Sequence, residues 1–361
     1  MKISNDKILD ILKKISYPGS DKDIVSLGIV KDIKINENII SFSLFFDKSN
    51  NPFISSVKRA CINAIHDNID KNLEVNIDVK AEKIFEEKNK PSTKNIIAIA
   101  SGKGGVGKST VAANIAVTLA KLGYKTGLLD ADIYGPSIPK MFGTENTQVL
   151  AREENNKTII IPLEKYGVKL LSIGYFVKPN DALIWRGPMA TGALRQLIHD
   201  AEWNDLDYLL IDLPPGTGDI HLTLVQEIAV TGVIIVSTPQ QVALADAIKG
   251  ISMFSAPLIN VPVLGLVENM AWFTPAELPD NKYYIFGKDG CKNLAQQMNI
   301  PLLGQIPIVQ SICDGGDNGL PAALNNDIIY NAFELLVKNL IAETDKRNKN
   351  LNPTEIVKIT K

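Results

Sequence analysis

The stretch that decides the fold is Asn95-Ile-Ile-Ala-Ile-Ala100, then Ser101-Gly-Lys-Gly-Gly-Val-Gly-Lys-Ser-Thr110, then Val111-Ala-Ala-Asn-Ile-Ala-Val-Thr-Leu-Ala120. An apolar run, a glycine-rich turn and a helical pattern, in that order, are what a phosphate-binding loop requires. Gly102 and Gly107 fill the two glycine positions of G-x-x-x-x-G-K-[ST], and Lys108 and Ser109 fill its last two. Glycines let the backbone turn its N–H groups inward around a phosphate. The helix that opens there adds the positive end of its dipole. Gly102, Lys103, Gly104, Gly105, Val106, Gly107, Lys108, Ser109 and Thr110 are therefore the expected nucleotide-binding residues. Lys108 is expected to reach the β/γ-phosphates of ATP, and the Ser109 hydroxyl to ligate Mg²⁺.

Working outward, strand-like and helical patterns alternate from Asn95 onward. Tyr124–Asp130, Val168–Ile173, Tyr208–Asp212, Gly232–Ser237, Val263–Val267 and Leu302–Ile306 read as strands. Helical spacing fills Ala190–Ala201, Gln241–Phe254 and Gly290–Met298. Such alternation predicts an α/β fold, a mostly parallel sheet with helices on its faces. Ligands of such sheets bind at the carboxyl ends of the strands. Acids stand at those ends. Asp130-Ala-Asp132 ends one strand, and a carboxylate there can orient water or hold Mg²⁺. Asp212, followed by Leu-Pro-Pro-Gly-Thr-Gly-Asp219, is at the second Mg²⁺-side position of phosphate-loop ATPases. Asn269 follows the Val263 strand, and an amide there offers adenine one donor and one acceptor. The competing readings are a turn aspartate for Asp132, a structural asparagine for Asn269 and a solvated loop charge for Lys103. Trp185-Arg-Gly-Pro-Met189 suggests only a helix start, since proline suits the first helical position.

The region before Asn95 differs. Residues 1–82 predict a small α+β domain: a helical pattern over Asp6–Ile15, alternation over Ile24–Phe46 broken at Asn36-Glu-Asn38, helical spacing over Phe53–Ile69, and alternation again over Asn72–Lys80. Residues 83–94 are polar and aperiodic, a linker. The ATPase domain is expected over 95–345, with a polar C-terminal tail over 346–361.

Two resemblances follow from these residues. Lys103 is a second lysine inside the loop, in the order K-G-G-x-G-K-S, which resembles the MinD, ParA, nitrogenase iron protein and Mrp group of ATPases. The full set of motifs resembles the Mrp/ApbC family of iron–sulfur cluster carriers. That set is the loop, Asp130–Pro139, Trp185–Met189, Asp212–Asp219, Val236–Gln240 and Val267–Phe273. It runs from about Asn95 to Leu324. Residues 1–82 resemble the small domain of SufT and PaaD. The resemblance implies a nucleotide-switched homodimer that hydrolyses ATP slowly. It implies that Lys103 crosses to the partner's nucleotide, that Asp132 lines up the attacking water, with Asp219 next in line, and that Asn269 meets adenine. It implies iron–sulfur assembly proteins or apo-protein clients as partners.

One departure from that family is visible. Many members place C-x-x-C shortly after Glu-Asn-Met and share a [4Fe–4S] cluster between two subunits through it. Here Phe273 is followed by Thr-Pro-Ala-Glu-Leu-Pro279. Asn50, Asn51 and Pro52 stand where the small domain often has a cysteine. Cys291 and Cys313 are expected beside surface elements near Gly290 and Gly315-Gly316, so two subunits could offer four thiolates, the usual cluster ligands. Each could equally be a small packed residue, as Cys61 is expected to be. The expectation is that no stable cluster is held at the family site.

Bulk properties narrow the class further. A chain of 361 residues suggests about two domains at roughly 150 residues each. A net charge of −2 provides no electrostatic footprint for nucleic acid or a membrane surface. Three cysteines make no disulfide framework, which fits a reducing cytoplasm. No uncharged apolar run approaches the roughly 20 residues that span a bilayer. The alternatives are a MinD- or ParA-like positioning ATPase, which would bind its surface through an amphipathic basic C-terminal helix if MinD-like or a basic stripe if ParA-like, and an ATP-dependent scaffold that binds no cluster itself.

Overall fold

The computed structural model describes residues 4–18, 23–36, 38–46, 51, 53–81, 93–154, 157–176, 187–275, 277–278 and 280–357. Trp185, Arg186, Asn50, Pro52 and most of the expected linker lie outside them. The chain divides into two compact units, Met1–Lys88 and Asn89–Lys361.

The first unit runs α1 (Asn5–Leu12), β1 (Val30–Asn36), β2 (Ile39–Phe46), α2 (Ile54–Asn68) and β3 (Glu74–Ala81). β1 and β2 pair antiparallel; β2 and β3 pair parallel across the α2 crossover. Val57, Cys61 and Ile65, spaced by one helical turn, form the buried face of α2. They close a core with Ile8, Leu12, Phe42 and Ile77. Cys61 is part of that core, and burial pushes its thiol up to about 12.

The second unit begins with β4 (Asn95–Ala100), α3 (Lys108–Lys121), β5 (Thr126–Asp130), the short α4 (Ile138–Met141), β6 (Leu150–Glu154), β7 (Lys157–Ile161), β8 (Leu163–Lys165) and β9 (Val168–Ser172). After a 3₁₀ turn at Ile173–Tyr175 come α5 (Gly187–His199), β10 (Tyr208–Asp212), α6 (Asp219–Glu227), β11 (Gly232–Ser237) and α7 (Gln241–Ser255). The unit closes with β12 (Val263–Glu268), α8 (Gly290–Met298), β13 (Leu302–Gln305), α9 (Gln310–Asp317) and α10 (Asp327–Asn350). Eight strands form one sheet in the order β13-β12-β11-β4-β10-β5-β9-β8, all parallel except β8 on β9. The antiparallel hairpin β6–β7, largely exposed, had no counterpart in the periodicity reading.

Strand residues alternate between two cores, as period two requires. Ile96, Ala98 and Ala100 of β4 join Leu209 and Ile211 of β10 against α5, α6 and α7. Ile97 and Ile99 join Leu210 on the other face, against α3 and α10. α3 is buried almost all round because the sheet and α10 cover opposite sides of it.

The C-terminal region bears on the alternative reading and on the expected domain end. Ile329, Phe333, Leu336, Val337 and Leu340 turn the apolar face of α10 into this core, so that face is already filled by protein. The helix also continues past residue 345 to Asn350, and the polar segment after it is docked as far as Val357. The Val357 amide donates to Val225 O at 2.9 Å, and Arg347 Nη2 holds Asn352 O and Thr354 Oγ1 at 2.8 and 2.6 Å. Among the described residues no helix is long and apolar enough to cross a membrane.

Candidate functional site

The central position of β4 determines where the chemistry collects. β10 lies beside β4 and β5 beside β10, so Ile99, Asp212 and Asp130 end in register at one edge. The glycine loop leaves β4 at this edge and opens α3. Gly107 has φ +80°, a left-handed conformation that glycine adopts without strain, and a Cβ on it would meet the Asn269 amide. Gly102 is confined differently: a Cβ there would run into the backbone of Asp246 in α7. The loop is tied at its start, where the Gly216 amide donates to Ser101 O at 2.8 Å. That contact joins it to the segment after Asp212.

Lys108 is the hub. Its Nζ lies 2.7 Å from Asp212 Oδ1, 3.1 Å from Ser109 Oγ and 3.8 Å from Asp132 Oδ2. The lysine is 6% exposed and Asp212 is fully buried. Burial pushes the Asp212 carboxyl up, and Lys108 opposes the shift. Asp132 is likewise raised by burial against the pull of Lys108. Asp130, fully buried, is pushed to about 7 by burial and by the Asp212 charge. Asp212 and Asp132 therefore share one ammonium group, and Asp130 feels its charge without touching it. Asp212 Oδ2 is buried with no hydrogen-bond partner, a costly state for a carboxylate oxygen. The donor set suits Mg²⁺, which takes oxygen ligands: the Ser109 hydroxyl and the orphaned Asp212 oxygen. A dication there would favour the ionised carboxylates.

Each expected site residue can now be placed. Lys103 to Thr110 line a pocket of about 220 Å³ together with Asp132 and Pro215. Lys103 is exposed, as are Gly104 and Gly105. Asn269 is buried beneath the loop, its Nδ2 donating to Val106 O at 2.8 Å. It thus braces the loop with one of its two N–H groups. Asp219 is exposed at the start of α6 and lines a second cavity of about 410 Å³, with Asp132, Tyr134 and His221. Burial holds the His221 ring neutral, near 4.

Of the two readings of Cys291, the structure takes the packed one. It lies in the first turn of α8 and is fully buried, with its amide donating to Glu268 Oε2 at 2.6 Å. Burial, with Glu268 adding, drives its thiol far above the ordinary range. Cys313 is exposed on α9. Among the described residues no group of three or more His, Cys, Asp or Glu side chains could hold a metal ion.

Two buried acids received no role of their own from the sequence. Asp130 ends its strand in the same Asp-Ala-Asp run as Asp132. Glu268 joins β12 to Gln305 Nε2 at 2.7 Å and to the start of α8. The available signal was the same for both: an acid at the last position of an apolar strand.

The comparison with known proteins adds to this geometry. The profile of the NUBPL iron-transfer P-loop NTPases matches residues 92–341, and that of an iron–sulfur cluster assembly protein matches residues 5–79. An iron–sulfur cluster carrier protein of Synechocystis sp. is 39% identical over 327 residues, 90% of this chain and 92% of that one. The chain belongs to this family of P-loop NTPases. Among solved structures, a nucleotide-binding protein in complex with ADP from Archaeoglobus fulgidus is 39% identical. It covers 65% of this chain and 90% of its own, with a TM-score of 0.57. MinD complexed with Mg-ADP from Pyrococcus horikoshii, 23% identical, covers 71% of this chain and 99% of its own at a TM-score of 0.52. That likeness concerns the fold alone. The family's sheet, with one small sheet domain before it, is the architecture expected from the alternating patterns.

Proposed function

We propose that this chain is an ATP-hydrolysing switch in iron–sulfur cluster delivery, acting as a dimer of two copies. The observation that carries the ATPase reading is Lys108 at the mouth of the glycine loop, sharing its charge with a buried Asp212 that keeps one oxygen free. The delivery reading is supported by the family and by the carrier proteins that resemble the chain over most of its length.

Each residue then has a task. The loop amides and Lys108 hold the phosphates. Ser109 and Asp212 would hold Mg²⁺, which supplies positive charge against the phosphate oxygens when bound. Asp132 orients the attacking water. Asn269 braces the loop and offers its remaining amide atoms to adenine. Lys103, exposed on the loop, reaches the nucleotide of the second copy, so turnover depends on closure of the pair. A slow, switch-like hydrolysis follows from that dependence. The cluster is cargo in this scheme. With Cys291 inside the core, the chain works through assembly proteins or clients and does not bridge a cluster on a Cys291–Cys313 set.

The test is a nucleotide titration of Lys108→Ala. Loss of the ammonium group should weaken ATP binding by more than tenfold, a cost above about 1.4 kcal/mol. Unchanged ATP affinity would sink the assignment of the loop.

A further inference from the structure

Behind the loop that carries Asp132 lies a short chain of buried hydrogen bonds. Asp130 Oδ1 accepts from the Asp132 amide at 3.1 Å, and its Oδ2 accepts from the Ile138 amide at 3.2 Å. One carboxylate therefore holds both ends of the 131–138 loop. Its orientation is in turn set from the neighbouring strand. Ser172, directly opposite Asp130 in the β5–β9 pairing, donates its hydroxyl to Asp130 Oδ2 at 3.0 Å. Ser172 Oγ accepts in turn from the Gly174 amide at 3.0 Å, so the single hydroxyl proton is committed to Asp130. Both side chains are fully buried.

We propose that Ser172 is a positioning residue for ATP hydrolysis: acting through Asp130, it fixes the place of Asp132 relative to the phosphate loop. The inference rests on the ATPase reading above. Ser172 touches no expected nucleotide-binding residue. Its hydroxyl supplies the third donor to a carboxylate whose other two donors are backbone amides of the 131–138 loop. Without it, the Asp130 carboxylate can rotate and the Gly174 amide loses its acceptor. Asp132 then moves as the loop moves. An error of about 1 Å in placing a reacting group is enough to cost up to about a hundredfold in rate.

The same loop region has a second anchor that makes a matched control. Tyr175 OH and Thr144 Oγ1 lie 2.7 Å apart, and Thr144 Oγ1 donates to Pro139 O at 3.2 Å. This contact braces the far side of α4 and contains no atom of the path from Ser172 to Asp132.

The experiment compares Ser172→Ala, Asp130→Asn and Tyr175→Phe with the wild-type chain. Steady-state ATPase gives kcat and KM, thermal unfolding gives stability, and amide hydrogen exchange reports on residues 131–138. Ser172→Ala should lower kcat about tenfold with KM for ATP within about twofold, since the phosphate contacts are untouched. It should speed exchange of the Asp132 and Ile138 amides by about tenfold. Asp130→Asn should show the same split, and it stands in if the serine variant does not fold. Tyr175→Phe should lower the melting temperature while kcat stays within about twofold. Equal loss of kcat in Tyr175→Phe, or unchanged kcat and unchanged exchange in a folded Ser172→Ala (or in Asp130→Asn where the serine variant does not fold), would overturn the proposal. A wild-type chain that hydrolyses no ATP would instead remove the ATPase reading, and the exchange result would still decide whether Ser172 fixes the loop.

Discussion

At the scale of single residues, the charges around Lys108 and the ring of His221 give two checks. Lys103 is exposed on the loop, whereas Lys108 is buried against Asp212, so substitution of the two lysines separates the proposed roles. Lys103→Ala should keep ADP affinity within about threefold, a difference below about 0.7 kcal/mol, and lose most ATP turnover. Turnover at the wild-type rate would leave Lys103 as a solvated charge. His221 is 1% exposed and its folded-state value falls from 6.5 to about 4. Its neutral form is the one the fold accepts, so below about 6.5 the unfolded chain binds the extra proton and stability declines until about 4. Asp130 has the opposite sign. Raised to about 7, it favours the folded state at low pH and loses that contribution as pH rises through 7. The two slopes oppose each other in the wild type, so the difference from a variant isolates the histidine. His221→Gln should gain about 2 kcal/mol relative to the wild-type chain between pH 7.5 and pH 5 in denaturant unfolding. A pH-independent difference would mean that the ring reaches a proton acceptor or water in solution.

At the scale of elements, α3 joins function to packing. Its first turn carries Lys108, Ser109 and Thr110, and its middle is clamped by Asn114. The Asn114 Oδ1 accepts from the Ala323 amide at 2.9 Å, and its Nδ2 donates to Thr110 O at 2.9 Å. Asn114→Ala should destabilise the chain by about 1–3 kcal/mol, because it leaves a buried amide without an acceptor. The exposed Asn318, whose Nδ2 donates to Asp314 O, should tolerate alanine within about 0.5 kcal/mol. Equilibrium urea unfolding of both variants checks the pair, and equal costs would count against the burial argument. Periodicity located α3, α7, α8 and the core strands because each buries one face or lies wholly inside. The β6–β7 hairpin escaped because its residues are mostly exposed, so no buried stripe marked it.

At the scale of the whole molecule, the question is what the pair of copies can carry. Cys61 is in the core of the first unit, Cys291 is in the core of the second, and Cys313 alone is exposed. Two copies would thus present two accessible thiols, half of what a cluster with four cysteine ligands takes. Anaerobic reconstitution should therefore yield well below four irons per dimer, the content of one [4Fe–4S] cluster, and replacing Cys291 by serine should not change the yield. About four irons per dimer, lost in Cys291→Ser, would show that α8 opens and would restore the shared-cluster reading.

The phosphate loop, the order of strands and helices, and the two-part organisation were determined by the sequence itself. Each rests on local spacing: glycines and a lysine at fixed offsets, apolar residues at a period of two or 3.6. Asp132, Asp212 and Asn269 stood out for the same reason, as polar residues at or just past the ends of apolar strands. Tertiary structure alone decided which of these groups meet. Lys108 and Asp212 are 104 positions apart, and they touch because β10 inserts between β4 and β5. The same strand order makes Asp130 a buried partner of Ser172, seals Glu268 against α8 and takes Cys291 out of solvent. Burial and pairing depend on which strands become neighbours, and that choice is made by packing the sheet's two faces at once, which no local window of sequence contains.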